Sequence, residues 1–287
     1  MINIDNAINY PFKDKNWKES LGVYFLIVFV MGIVSQMISF FLGLSSAFIR
    51  SLQHYSGTPY SQLSNSATSF LVSLLLLPIT LYLAGYVIDL TRNVMKGNED
   101  THVKHGKIGD RIQTGLAPFT YGLVLTLTDV LLLLLVFTPT VIATYLQDHY
   151  PMLAVIVLIC FAILCILFVL FSVFLLPVIY KTMLYIYINE GSISKGFNAS
   201  KIFEILKTSW KKFYFLYFVD IVIAFISFIS ILSCCLVFIV SPILTSILIF
   251  IKADIEGNVF RQINDGDAPV KKAKVVRKVV AKKVTKK

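Results

Sequence analysis

Charge is scarce in this chain and unevenly spread. Only 15% of its 287 residues are Asp, Glu, Lys or Arg, while 57% are hydrophobic and the mean hydropathy is +0.78. Soluble globular domains carry roughly a quarter charged residues, so this composition implies an integral membrane protein. Acid is missing altogether from "APVKKAKVVRKVVAKKVTKK", the segment 268–287, where nine Lys or Arg stand without one Asp or Glu. The formal net charge is +10, which leaves the other 267 residues at +1. The basicity is therefore local to the tail.

Other absences narrow the chemistry. The four cysteines, Cys160, Cys165, Cys234 and Cys235, lie in or beside apolar runs, with no CxxC and no framework in polar loops. They are expected to be buried small apolar residues rather than disulfide partners. Walker loop, HExxH, GxSxG and nucleophile–base pairings are all missing, so no catalytic residue and no cofactor is expected. In "NEDTHVKHGKIGD", His102 and His105 have a spacing that could share a metal on a helix, with Glu99, Asp100 and Asp110 nearby. Gly97, Gly106 and Gly109 argue against a helix there, and no metal site is expected. The amino end lacks the basic, apolar and small-residue order of a secretory signal, so the first apolar run is expected to be kept as a span.

What the chain does have is long apolar runs. A hydrocarbon core of about 30 Å takes about 20 residues of helix, and runs near 21–46, 68–91, 116–146, 152–180, 213–232 and 235–254 suffice. Strands of a membrane barrel are short and alternate, whereas "DVLLLLLVF" is continuously apolar. The expected fold is all-α: a polytopic membrane protein with six transmembrane helices arranged as three helical hairpins. Between the runs and at their ends, 25 Lys or Arg fall on one side and only Arg50 on the other. Cytoplasmic segments are enriched in these residues, so both termini are expected in the cytoplasm, with the protein in a cell inner membrane.

Several cytoplasmic connections read as interfacial amphipathic helices. In "GFNASKIFEILKTSWKKFYF", Ile202, Ile205, Leu206 and Phe213 recur at helical spacing, and Trp210, Lys211 and Lys212 stand where headgroups begin. At the amino end, Ile4, Ala7 and Ile8 form a short face and Trp17 with Lys18 precedes the first span. "KIGDRIQTGLAPF" leads into the third in a similar way. Each even span carries a proline, Pro78, Pro177 or Pro242, and is followed by "KGNED", "NEGS" or "IEGN". This is a weak sign of a threefold hairpin repeat. The chain thus divides into an interfacial segment 1–20, a six-helix domain 21–255 and a flexible tail 256–287, strongly basic from 268.

"NIDNAINYPFKDKNWKESLGVYFLIV", "LAGYVIDLTRNVMKGNED" and "GKIGDRIQTGLAPFTYGLV" together resemble the uncharacterised prokaryotic membrane proteins of domain-of-unknown-function (DUF) family 4013. The likeness rests on Tyr10, Pro11, Phe12, Asp14, Trp17, Gly85, Tyr86, Gly109, Asp110 and Gly115, covers roughly 1–255 and is strongest in the first 125 residues. The small residues usual ahead of the Gly-Tyr pair are mostly bulkier here, which weakens the expectation of close helix contact. The resemblance implies the six-helix layout and a prokaryotic inner membrane, and it supplies no catalytic residue.

Asp129, in "LVLTLTDVLLLL", is the one ionisable residue placed near the bilayer midplane, where a carboxylate costs about 2.5–3.5 kcal/mol on insertion scales. Asp220 lies about two turns inside the fifth span. No Lys, Arg or His is expected deep enough to pair with either, so both are expected to bond Thr126, Thr128, Gln36 or a tyrosine. Such a carboxylate is either a proton- or cation-linked site or a structural hydrogen bond between helices. A lone carboxylate without a basic relay is a thin transport signature, which favours the structural role. Asp89 and Asp254 are expected to be ordinary interfacial residues at span ends.

In the tail, Lys271, Lys272, Lys274, Arg277, Lys278, Lys282, Lys283, Lys286 and Lys287 would attract anionic lipid, at about 1 kcal/mol for each charge near the surface. An acidic protein, a ribosome or nucleic acid bound through phosphates without sequence reading comes second. The segment has no aromatic residue for base stacking. The expected function is a non-enzymatic accessory, scaffold or assembly subunit of a membrane complex. The alternative is a small-solute or lipid permease using Asp129 and the proline-containing even helices.

Overall fold

The computed structural model describes residues 4–12, 17–53, 61–97, 108–147, 150–232 and 237–265. The histidines of 98–107, Cys234, Cys235 and the basic tail from 266 lie outside the described residues. Among those described there is no strand, and the order is α1 (Ile4–Asn9), a 3-10 turn (Tyr10–Phe12), α2 (Trp17–Gln53), α3 (Ser61–Met95), α4 (Ile108–Gln147) and α5 (Pro151–Leu170). A π-helical turn (Phe171–Leu175) then leads into α6 (Leu176–Glu190), followed by α7 (Ile193–Gly196), α8 (Ala199–Leu232) and α9 (Val237–Asn264).

Five of these stretches are long and apolar enough to cross a membrane: Trp17–Ile38, Ser73–Met95, Ile108–Gln147, Pro151–Glu190 and Ala199–Ile229. The sixth expected span, 235–254, falls on α9 and is not among them. α9 is also longer than expected. It runs on to Asn264, so 256–264, expected as the start of a flexible tail, is helical and much of it is buried. At 40 residues, α4 extends about 60 Å at 1.5 Å per residue, twice a hydrocarbon core. "KIGDRIQTGLAPF" makes no separate interfacial helix, because from Ile108 onward it is already α4.

Five helices close a ring: α3 packs on α4, α4 on α6, α6 on α8, α8 on α9, and α9 back on α3. α2 covers the α3–α9 seam, while α1 and its 3-10 turn rest on α9. Burial is concentrated at the end of the bundle that holds α1, Met95, Glu190 and Asn264. There Tyr121, Ile186, Phe213, Leu216, Phe250 and Phe260 are among the most deeply buried side chains. Much of the opposite half of α4, most of α5 and much of α8 beyond Leu216 turn apolar side chains outward, as suits lipid. Cys160 is exposed and Cys165 half-buried on α5, so the expected burial does not hold for Cys160.

Three close approaches set the ring at its tight end. A Cβ on Gly85 would lie 2.0 Å from the Arg111 carbonyl oxygen, and one on Gly115 would lie 1.9 Å from that of Leu81. α3 and α4 therefore meet backbone to backbone, and the expectation of weakened contact at the Gly-Tyr pair is reversed. The bulkier neighbours do not prevent it, because the glycines stand where the two backbones come closest. Gly257 brings α9 onto α3 in the same way, its absent Cβ 2.6 Å from that of Val94. "IEGN" is thus no loop signal but a helix crossing.

Prolines do not single out the even spans, since α4 holds Pro118 and Pro139. Pro177 has the clearest local effect. A proline ring clashes with the carbonyl four residues back and offers no N–H, and the chain answers by widening: Leu176 N–H reaches back five residues to Phe171 O.

The glycine crossings make a direct prediction. Gly85→Ala should destabilise the bundle by about 1–3 kcal/mol through overpacking, read as a lower unfolding midpoint in mixed micelles. Gly122→Ala on α4, where nothing lies within 4 Å, should be neutral or gain up to about 1 kcal/mol. Equal behaviour of the two variants would refute the backbone contact.

Candidate functional site

Two groups of buried or half-buried charge lie at the tight end of the bundle. The first joins three helices. Lys181 on α6 pairs with Glu256 on α9, and its Nζ lies 2.7 Å from an Asp220 carboxylate oxygen on α8. Lys252, one turn before Glu256, approaches the other Asp220 oxygen at 2.9 Å and Glu256 at 3.9 Å. Two cations face two anions, so the group is neutral as a whole. It is also graded: the Lys181 and Glu256 side chains are 3% and 4% exposed, those of Asp220 and Lys252 28% and 29%.

Asp220 therefore departs from the expectation that no basic residue reaches it. Charge normally stands where an apolar run ends, and the 25-to-1 count of Lys and Arg treats Lys181 and Lys252 in that way. The helices here continue past those charges, and α6 buries every residue from Lys181 to Ile188. The sequence does hold a signal for this. "YKTMLYIYI" stays apolar after the lysine, and Lys252 and Glu256 stand at the i,i+4 spacing of a helical ion pair.

The second group sits on the α3–α4 crossing. Arg111, only 2% exposed, donates to the Tyr82 hydroxyl at 2.8 Å and lies over the rings of Tyr86 and Tyr82 at 4.9 and 5.4 Å. Asp89 stands 3.9 Å from Arg111 Nε and 3.3 Å from Arg92. A guanidinium is flat and weakly hydrated, so aromatic faces and a carboxylate can replace its water together. Asp89 is thus a pairing residue rather than an ordinary interfacial one, and Asp254, also expected at the interface, is buried in α9. Beside this group Tyr24, Tyr86 and Phe250 pack ring to ring within 6.0 Å and tie α2, α3 and α9 together.

Asp129 stands apart from both groups. It accepts a hydrogen bond from Ser172, which lies in the π-helical turn, so the pair links α4 to the α5–α6 bend. The partners expected from sequence do not take part. Thr128 instead bonds the Val124 carbonyl, Thr126 is exposed, and Gln36 is exposed on α2, which packs on α3 and α9. Ser172 was missed because its position depends on the extra residue inserted ahead of Pro177.

The interfacial residues divide. Trp210 is exposed with Lys211 5.7 Å from its ring centre, and Trp17 meets Phe12 edge-on at 5.0 Å with Lys18 over it. Lys212 instead donates to the Gln262 carbonyl at 3.2 Å, pinning α8 to α9. At the amino end Ala7 and Tyr10 are buried and Ile8 is exposed, so this short face packs partly on α9. In α8, Ser209 leaves helical geometry with φ −125° and ψ 19°, which bends the amphipathic part off the long apolar part. Among the described residues no group of three metal-ligating side chains occurs.

Residues 69–251 match the family described as a protein of unknown function, DUF4013. The chain belongs to this family. The DUF4013 match takes in Gly85, Tyr86, Gly115, Asp129, Ser172, Lys181 and Asp220, and ends just before Lys252 and Glu256. The amino-terminal Tyr-Pro-Phe segment lies outside it. No curated protein and no solved structure matches the chain.

Removing one member of the three-helix group leaves a buried charge uncompensated, whereas apolar replacement of a pair is often close to neutral. Lys181→Met should therefore cost about 3–5 kcal/mol of unfolding free energy, and Lys181→Met with Glu256→Met clearly less than the sum of the single changes. Additive costs in that cycle would show that the two charges do not interact.

Proposed function

We propose that this protein is a non-enzymatic, six-span membrane subunit, with both termini in the cytoplasm, that scaffolds or helps assemble a membrane complex. What carries this reading is the self-compensated character of its buried charges. Lys181, Glu256, Asp220 and Lys252 answer one another, and Arg111 is answered by Asp89 and two tyrosines. Such groups hold helices in register rather than waiting for a solute. On the opposite half, α4 and α5 present a broad apolar face suited to lipid and to neighbouring membrane helices. In this topology the three hairpins are α2–α3, α4–α6 and α8–α9, in a prokaryotic inner membrane.

A second reading, a permease for a small solute or lipid, is favoured by one observation: Asp129 is bonded at a π-helical turn. Such turns often mark functional sites, and intramembrane carboxylates often line proton or ion paths. The two readings separate in one experiment. Solubilised in mild detergent, the protein should copurify with a fixed set of membrane subunits. Asp129→Asn should leave that set unchanged and shift stability by less than about 1 kcal/mol, the scale of one interhelical hydrogen bond. A protein that emerges alone, and loses proteoliposome flux on Asp129→Asn, is a permease instead.

The tail supplies a separate expectation. Its nine cations should bind anionic vesicles at about 1 kcal/mol per engaged charge, with affinity falling as salt rises. Deleting 268–287 should abolish salt-sensitive vesicle binding. Retained vesicle binding together with lost RNA binding would reverse the ranking of lipid over nucleic acid.

A further inference from the structure

A cavity of about 470 Å³ lies at the tight end of the bundle, between the end of α6, the first part of α8 and the end of α9. Two features hold it open. The bend at Ser209 swings the amphipathic part of α8 away from the direction of the long helix. A side-chain chain then braces the floor: Tyr185 donates to Asn264 at 2.5 Å, and Asn264 donates to Asn189 at 2.8 Å. The wall formed by α8 carries Lys201, Glu204 and Thr208, which share one helical face.

The charges on that wall are of both signs. Glu190 at the rim pairs with Lys201 and also with Lys195 at 3.2 Å. Lys201 and Lys195 hold different oxygens of Glu190, so Glu190 keeps a cation when a ligand draws Lys201 away. What then faces the cavity is one cation and one anion three residues apart on a helix, a separation of roughly 5–6 Å between Cβ atoms. A simple anion would be repelled by Glu204 and a simple cation by Lys201. A zwitterion satisfies both.

The outer face of the same helix fixes the setting. Phe203, Lys207 and Trp210, at i, i+4 and i+7, are all exposed. Exposed aromatics interleaved with lysine suit a membrane surface, so the cavity on the inner face opens at headgroup level. We infer that this cavity binds a phosphoethanolamine-type zwitterion, with phosphate at Lys201 and ammonium at Glu204. This goes beyond the scaffold proposal and does not depend on it. The same chemistry is available from a phosphatidylethanolamine headgroup and from a free phosphoethanolamine ester.

Trp210 adjoins Ser209 at the cavity and reports binding once the other tryptophan is removed. The experiment uses the full-length Trp17→Phe protein in two arms: phosphoethanolamine and glycerophosphoethanolamine added in detergent, and phosphatidylcholine nanodiscs with rising phosphatidylethanolamine. Saturable change in Trp210 fluorescence in either arm is expected, and the responding arm identifies the source. Phosphate or ethanolamine alone should bind at least about tenfold more weakly. Glu204→Gln and Lys201→Gln should each weaken the zwitterion about tenfold or more, the loss of one charge-assisted contact. Glu204 is exposed, so that variant should unfold at the parental midpoint. Failure to saturate in both arms overturns the proposal. Phosphate binding as tightly as the zwitterion, or unchanged affinity in both variants, overturns it equally.

Discussion

A lysine ammonium buried among apolar helices must be met by carboxylate on nearly every open side, and Lys181 imposes that demand on this fold. It is 3% exposed, and the carboxylates that meet it come from α8 and α9. Desolvating an ion costs several kcal/mol even after relaxation, so no arrangement of α6, α8 and α9 that leaves Lys181 alone competes with the observed one. The group does not have to stabilise the bundle relative to an apolar core to matter. Its consequence is specificity: a shift of one turn along any of the three helices would part an ion pair and leave a charge dry.

The α3–α4 crossing solves the complementary problem. In lipid, helices gain little by burying apolar side chains against each other, so they associate through close backbone packing and shared polar groups. Gly85 and Gly115 supply the first and Arg111 the second. The two are one device. Because the glycines let the backbones touch, the Arg111 guanidinium falls between Tyr82 and Tyr86 and within reach of Asp89. Tyr86 then passes the order on, through Tyr24 and Phe250, to α2 and α9.

How much of this the sequence disclosed follows from which signals are local. Apolar runs over 20 residues long are read residue by residue, so the helices and their being long and apolar enough to span a membrane were legible from "DVLLLLLVF" and its counterparts. Gly85, Tyr86 and Gly115 were legible as family residues, although not as a contact, because contact depends on which residues of α3 turn toward α4. The charge groups were misread for a different reason. Counting Lys and Arg between apolar runs treats each as a loop residue, so Lys181, Lys252 and Arg111 vanished into the tally that fixes orientation. Only the continuation of helical periodicity past Lys181 distinguishes a buried lysine from a boundary one. Ser172 was further out of reach, since an inserted residue ahead of Pro177 rotates every later side chain relative to the earlier ones.

The uneven distribution of polarity bears on what such a bundle can do. Ion pairs, glycine crossings and aromatic clusters gather at one end, while the far half of α4, nearly all of α5 and the later part of α8 remain apolar and outward-facing. A helix fastened most firmly at one end has more room to adjust at the other, where the described side chains pack mostly through apolar contact. Asp129 and Ser172 lie in that region, where their hydrogen bond joins α4 to the turn ahead of α6. On the scaffold reading proposed above, the two halves would divide the work: the charged and glycine-packed base fixes helix register, and the apolar face above it is the surface that lipid or a neighbouring helix would meet.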